Sequence, residues 1–161
     1  MKKQHVRSLV SQNNPEKARS YAFLLLKFRL RSEHELRVRL KQKGFSEDLA
    51  ADTVSFLKDK EFIDDRVFAK GWVSSRLKRP LGLRKIELEL MQKGIAKEII
   101  QDALGQASRQ YFESQIVSQL ARQRFSRLKG IEPLKAKARV YGYLMRRGFS
   151  PDVVNDIVKA L

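Results

Sequence analysis

The sequence predicts an all-α protein of three tandem three-helix repeats, and three observations carry that expectation. From Lys17 onward apolar residues recur at helical spacing, while period-two runs of β-branched and aromatic residues are missing. One phrase returns three times: LKQKGFSEDLAADTV from Leu40, LMQKGIAKEIIQDAL from Leu90 and LMRRGFSPDVVNDIV from Leu144. Its glycines, Gly44, Gly94 and Gly148, punctuate the chain about every fifty residues, a period typical of repeat architectures. A unit this small buries too little to be robust alone, so neighbours should pack in a row. The expected result is an elongated, curved array that offers a long surface rather than a pocket.

The expected divisions are a mobile basic arm over 1–16 and repeats over 17–62, 63–107 and 108–161. The arm is polar, has no sustained period and carries the turn pair Asn14-Pro15. Both an idle terminus and polyanion contact through Lys2, Lys3 and Arg7 fit it. In the first repeat Ala22, Leu25, Leu26 and Leu30 share a helix face. Ser32 then caps a second helix, and Glu35, three positions on, completes a capping box. Leu36 and Leu40 face inward and Gly44 ends the helix in the left-handed conformation. Ser46 caps a third helix with Leu49, Thr53, Phe56 and Leu57 at core spacing.

In the second repeat Asp64 is placed as an N-cap, with Ile63 and Phe68 at the two positions of a hydrophobic staple. Val67, Phe68, Gly71, Trp72 and Ser75 form the expected inward face. Pro80 and Gly82 break the chain, and the next helix carries Ile86 and Leu90 before stopping at Gly94. In the third repeat Tyr111, Ile116, Leu120 and Phe125 outline a long helix. Glu132-Pro133 opens the next, and Pro151 opens the last after Ser150. Arg146-Arg147 precede Gly148 as Gln42-Lys43 and Gln92-Lys93 precede the other two glycines. A cation there is positioned to satisfy carbonyls at its own helix end.

Net charge is +16 and the isoelectric point about 10.4, a field that attracts polyanions. With no cysteine, a disulfide scaffold, Cys-ligated zinc and thiol catalysis are excluded. The longest apolar run, Ala22 to Leu26, is far too short to span a bilayer, and the N-terminus has no secretory pattern. A soluble cytoplasmic protein is expected.

The cations are not spread evenly. Arg76, Lys78, Arg79, Arg84 and Lys85 surround the Pro80–Gly82 break with no acid between them. Arg84 and Lys85 occupy the first turn of a helix, where the macrodipole favours acids by about 0.3–1 kcal/mol each. Such a broken local rule marks a candidate contact with phosphate or an acidic partner. Arg122, Arg124, Arg127 and Lys129 form a second cluster, although cations near a helix C-terminus are favourable for structural reasons too.

No constellation supports catalysis. His5 and His34 have no nucleophile or metal-ligand spacing nearby, and helix capping accounts for Asp64-Asp65. Glycine-rich phosphate loops are missing, so no enzyme activity, metal or cofactor is expected. Aromatic residues sit mostly at core spacing rather than interleaved with Arg as stacking platforms; Trp72 alone could face the basic corner.

The stretch from Phe62 to Gly94 carries a family resemblance through Phe62-Ile63-Asp64-Asp65, Phe68-Ala69, Ser75-Arg76, Gly82, Ile86, Glu89-Leu90 and Lys93-Gly94-Ile95. Ser32-Glu33-His34-Glu35-Leu36, Leu40 and Gly44 add to it. In order, spacing and threefold repetition the chain from Ala18 to Leu161 resembles regulatory protein RecX, the modulator of RecA recombinase. The resemblance implies a protein without catalytic site that binds in the groove of the RecA–single-stranded DNA filament, and a monomer is expected. There it would restrain ATP hydrolysis, strand exchange and co-protease activity. The rival expectation is a general basic nucleic-acid binder that competes with RecA for DNA.

Overall fold

The computed structural model describes residues 14–161, and among them every regular element is a helix. In chain order these are α1 (Pro15–Phe28), α2 (Glu33–Lys43), α3 (Glu47–Asp59), α4 (Asp65–Leu77), α5 (Leu83–Gln92), α6 (Lys97–Ser108), α7 (Glu113–Ser126), α8 (Pro133–Arg146) and α9 (Pro151–Lys159). The fold class is the expected all-α repeat array. The readings for Lys2, Lys3, His5 and Arg7 lie outside the described residues. The chain forms two compact units. Of the described residues, the first takes those up to Lys70 and Lys93–Ile99; the second takes Gly71–Gln92 and Ile100–Leu161.

In the first unit α1 opens at Pro15, two residues before the expected start. The Asn14 side chain accepts from the amides of Glu16 and Lys17 at 2.9 and 3.2 Å, and Pro15 takes the first helical position. Ala18 and Ala22 are fully buried and let α1 approach Leu36 and Leu40 of α2 and Ala50, Val54 and Leu57 of α3. Each of these leucines, wholly removed from water, contributes about 1.5–3 kcal/mol. Leu30 departs from expectation: it lies beyond the end of α1 and is exposed. Ser32 does cap α2, accepting from the Glu35 amide at 3.1 Å. The Glu35 carboxylate does not complete the box, because Arg29 and Lys93 claim it.

The expected inward face of α4 is corrected. Phe68, Ala69 and Val73 are buried and Trp72 is half-buried, whereas Val67, Gly71 and Ser75 are exposed. The true stripe runs 65, 68, 69, 72, 73, 76, so it begins and ends on polar residues. Asp65 accepts from the Glu33 amide at 2.9 Å, and Arg76 is paired with Glu89, which makes their places on that stripe tolerable. Asp64 is the N-cap as expected, accepting from the amides of Arg66 and Val67, and Ile63 and Phe68 are both buried.

The core of the second unit gathers Val117 and Ala121 of α7, Val140 and Leu144 of α8, Phe149, and Val154 and Val158 of α9. Ile116, Leu120 and Phe125 pack around it as expected, but Tyr111 precedes α7 rather than lying on it. Glu113 supports the start of α9 by accepting from the Ser150 amide at 3.1 Å.

One joint occurs in both units. In the first, the Ser32 hydroxyl donates to the carbonyl of Lys93 at 2.7 Å, beside Gly94. In the second, the Gly82 amide donates to the carbonyl of Arg147 at 2.9 Å, beside Gly148. In each case a donor at a helix N-terminus satisfies a carbonyl left over at a helix C-terminus; in the second joint the donor is itself a backbone amide, so orphan groups of both helix ends are satisfied together. The glycines make the approach possible. Gly94 and Gly148 have φ of 73° and 79°, and a Cβ on them would lie 2.4 Å from His34 Cβ and Lys85 Cβ respectively. The cations before the three glycines make contacts beyond their own helix ends. Lys93 pairs with Glu35, Arg147 bonds the carbonyl of Pro80, and Lys43 lies 5.4 Å from the Tyr21 ring centre.

Candidate functional site

The turn between α4 and α5 is held at three consecutive residues. The Arg147 guanidinium donates to Pro80 O at 2.8 Å, the Tyr111 hydroxyl to Leu81 O at 2.7 Å, and the Gly82 amide to Arg147 O. Burial, and secondarily the charge of Glu113, pushes the Tyr111 phenol up to about 12, so it stays a neutral donor at physiological pH. The backbone of the corner is thereby fixed by residues from the third repeat. Lys78 and Arg79 project from it into solvent, and Arg84 does so from the first turn of α5.

The other two members of the expected corner are different. Arg76 is matched internally: its Nε donates to Glu89 at 2.6 Å, and its guanidinium lies 4.2 Å from the Trp72 ring centre. Trp72 Nε1 donates to the same carboxylate oxygen at 2.9 Å. Trp72 and Arg76 thus share Glu89, and the half-buried Trp72 ring carries the Arg76 guanidinium rather than standing free at the corner. Lys85 is half-buried with its Cβ against Gly148.

The broken dipole rule has a structural answer as well. No acid occupies the first turn of α5, but the C-terminal carbonyl of α8 at Arg147 sits against it. The partial negative charge of that helix end compensates for Arg84 and Lys85 on the scale of about 0.3–1 kcal/mol. Arg84 and Lys85 therefore stand where a tertiary neighbour removes their local penalty.

The second basic cluster divides. Arg124 lies 5.3 Å and Arg147 4.8 Å from the same Tyr143 ring centre. Through Tyr143 and Arg147, Arg124 is connected to the corner at Pro80. Arg122 instead borders a groove with Ser118 and Ile157, while Arg127 is the C-cap of α7 and Lys129 is exposed beyond it. Tyr143 is the connecting residue that the sequence reading did not single out, and Arg147, read there as satisfying its own helix end, instead bonds the carbonyl of Pro80. The available signal was the Arg-Arg pair before Gly148, where the other copies have Gln-Lys.

Among the described residues no group of three His, Asp or Glu could hold a metal ion, and no helix is long and apolar enough to cross a membrane.

Comparison with known proteins finds three consecutive three-helix domains. Models of the first, second and third three-helix domains of RecX match residues 18–57, 64–104 and 113–158. A regulatory protein RecX from Mycobacterium sp. (strain KMS) is 35% identical over 151 residues, spanning 91% of this chain and 82% of that protein. One from Clostridium botulinum (strain Eklund 17B) is 31% identical over 145 residues, spanning 89% of this chain and 68% of the relative. The crystal structure of RecX from Lactobacillus salivarius has the same fold, with a TM-score of 0.74 at 24% identity, covering 91% of this chain and 96% of that one. With models of all three domains matched in order and relatives of this similarity, the chain belongs to the RecX family of regulatory proteins.

Proposed function

We propose that this protein regulates RecA by binding the RecA–single-stranded DNA filament in its groove, where it restrains ATP hydrolysis, strand exchange and co-protease activity. Membership of the RecX family supports the regulatory role. The observation that carries the contact is the pinned corner, a fixed backbone from which Lys78, Arg79 and Arg84 reach into solvent. Cations on a pre-ordered turn lose less freedom on binding than cations on a loose loop. Arg124 extends this surface while Arg147 holds the turn in place, and Arg122, Arg127 and Lys129 add charge beyond it. Arg76 supports the corner from within, through Glu89, and Lys85 at the joint with Gly148. The repeats over 17–62, 63–107 and 108–161 act in one cytoplasmic monomer, which obstructs the motion or DNA access that strand exchange needs.

The test is RecA-catalysed ATP hydrolysis on single-stranded DNA, with the protein added to assembled filaments at amounts too low to coat the DNA. Hydrolysis should fall, and a variant with Lys78, Arg79 and Arg84 changed to Glu should lose the effect while keeping its helicity. The net charge of +16 favours one rival, simple competition for DNA. That rival requires inhibition only at DNA-saturating amounts. It also requires binding that weakens roughly a thousandfold or more between about 50 and 200 mM salt for six or more phosphate contacts.

A further inference from the structure

We propose that the groove between α5 and the end of α8 is a docking site for a short acidic segment of a protein partner that supplies apolar anchors as well as carboxylates. Helix α5 spends Ile86 and Leu90 on the core, where both are fully buried. Its other side carries a second stripe, Arg84, Leu88 and Met91, at i, i+4 and i+7. Leu88 is 48% and Met91 60% exposed. Both line a groove of about 540 Å³ together with Met145, a size within the ~300–1,000 Å³ of ligand sites. Arg84, Lys85 and Arg146 also line it, against a single acid, Glu87.

A scattered exposed leucine needs no explanation, but an apolar stripe along a groove lined by three cations is a patterned surface. Two methionines in its lining suit an adaptable anchor site. Charge selects among the occupants. A second copy of this chain would bring its own +16. The residues before Asn14 include Lys2, Lys3 and Arg7 and no acid. Nucleic acid would satisfy the cations, but Leu88, Met91 and Met145 offer no ring on which a base could stack, and the ring in the lining, Phe149, is fully buried. An amphipathic acidic peptide uses both the cations and the apolar stripe, as in helix-in-groove recognition. The proposal goes beyond the filament reading, since it requires neither RecA nor DNA.

The experiment uses the full chain and fluorescence anisotropy with three labelled probes. One is a synthetic peptide with Leu at helical spacing and Glu elsewhere. The second has every Leu replaced by Ser, and the third is a thymidine oligonucleotide. The Leu peptide should bind at least about tenfold more tightly than its charge-matched control. Leu88→Ser combined with Met91→Ser should abolish that preference and leave oligonucleotide binding unchanged. Because both side chains are exposed, the core stays intact; Met91→Glu, which repels the acidic peptide, is the second variant and should also abolish Leu-peptide binding. Equal binding of the two peptides, or a preference that survives both variants, overturns the proposal. Parallel loss of oligonucleotide binding overturns it in favour of nucleic acid. A dimer in sedimentation that the same variants dissociate overturns it in favour of a second copy. None of these results bears on inhibition of RecA, so the two readings fail separately.

Discussion

Glu35 shows how one residue can anchor a unit. Burial alone would raise its carboxyl, but hydrogen bonds from Arg29 and then Lys93, with their charges, outweigh that effect and hold it at about 2. Its folded pKa is depressed, so its stabilisation is complete above the ordinary carboxylate value of 4.5 and is lost as pH falls from there through about 2. Glu35→Gln should therefore lower stability by about 1–3 kcal/mol at neutral pH, through two cations left short of a partner. In urea titrations across pH, the gap between variant and parent should be flat above pH 5 and close below pH 4.5. Tyr111→Phe makes a comparable test in the second unit. It leaves Leu81 O without its donor and should cost about 1 kcal/mol in urea melts. If the pinned corner is the filament contact, the same change should also weaken inhibition of RecA.

Among the elements, the joint between helix ends is the device most exposed to mutation. A Cβ on Gly82 would stand 2.0 Å from the carbonyl oxygen of Gly148. No side-chain rotation relieves a clash with backbone, so Gly82→Ala should destabilise by about 3 kcal/mol. Gly105, within α6, has nothing within 4 Å of the corresponding position. Gly105→Ala should instead stabilise by about 0.5–1 kcal/mol, because alanine loses less backbone freedom in a helix. Thermal melts of the two variants should move in opposite directions. Much of the element level was legible beforehand, since Asp64, Ser32 and Ser46 cap their helices as read and Gly44, Gly94 and Gly148 take positive φ. The face of α4 was not legible, because its inward stripe starts at Asp65 and ends at Arg76.

For the whole molecule, charge is the dominant global quantity. With 34 Lys and Arg against 18 Asp and Glu, self-repulsion opposes the compact state. Salt shortens the reach of that repulsion to about 10 Å at 0.1 M, while closely spaced, partly buried pairs such as Lys93–Glu35 are screened much less. The thermal midpoint should consequently rise between low salt and about 0.3 M. A fall would mean that the ion pairs, rather than the net charge, govern stability. The same excess charge explains why composition pointed to a polyanionic partner but could not distinguish a filament from free DNA.

By itself the sequence determined the all-α class, the threefold repeat and the chemistry of most helix ends, because these depend on periodicity and on residues a few positions apart. Only the tertiary structure decided which cations are spent inside the fold and which remain outside. Lys93 reaches Glu35 across 58 positions and Arg147 reaches Pro80 across 67. Arg76 gives its charge to Glu89, and Arg124 meets Arg147 only through Tyr143. A charge reads the same in a sequence whether it is neutralised or exposed; what settles it is the neighbour that arrives when distant helix ends meet.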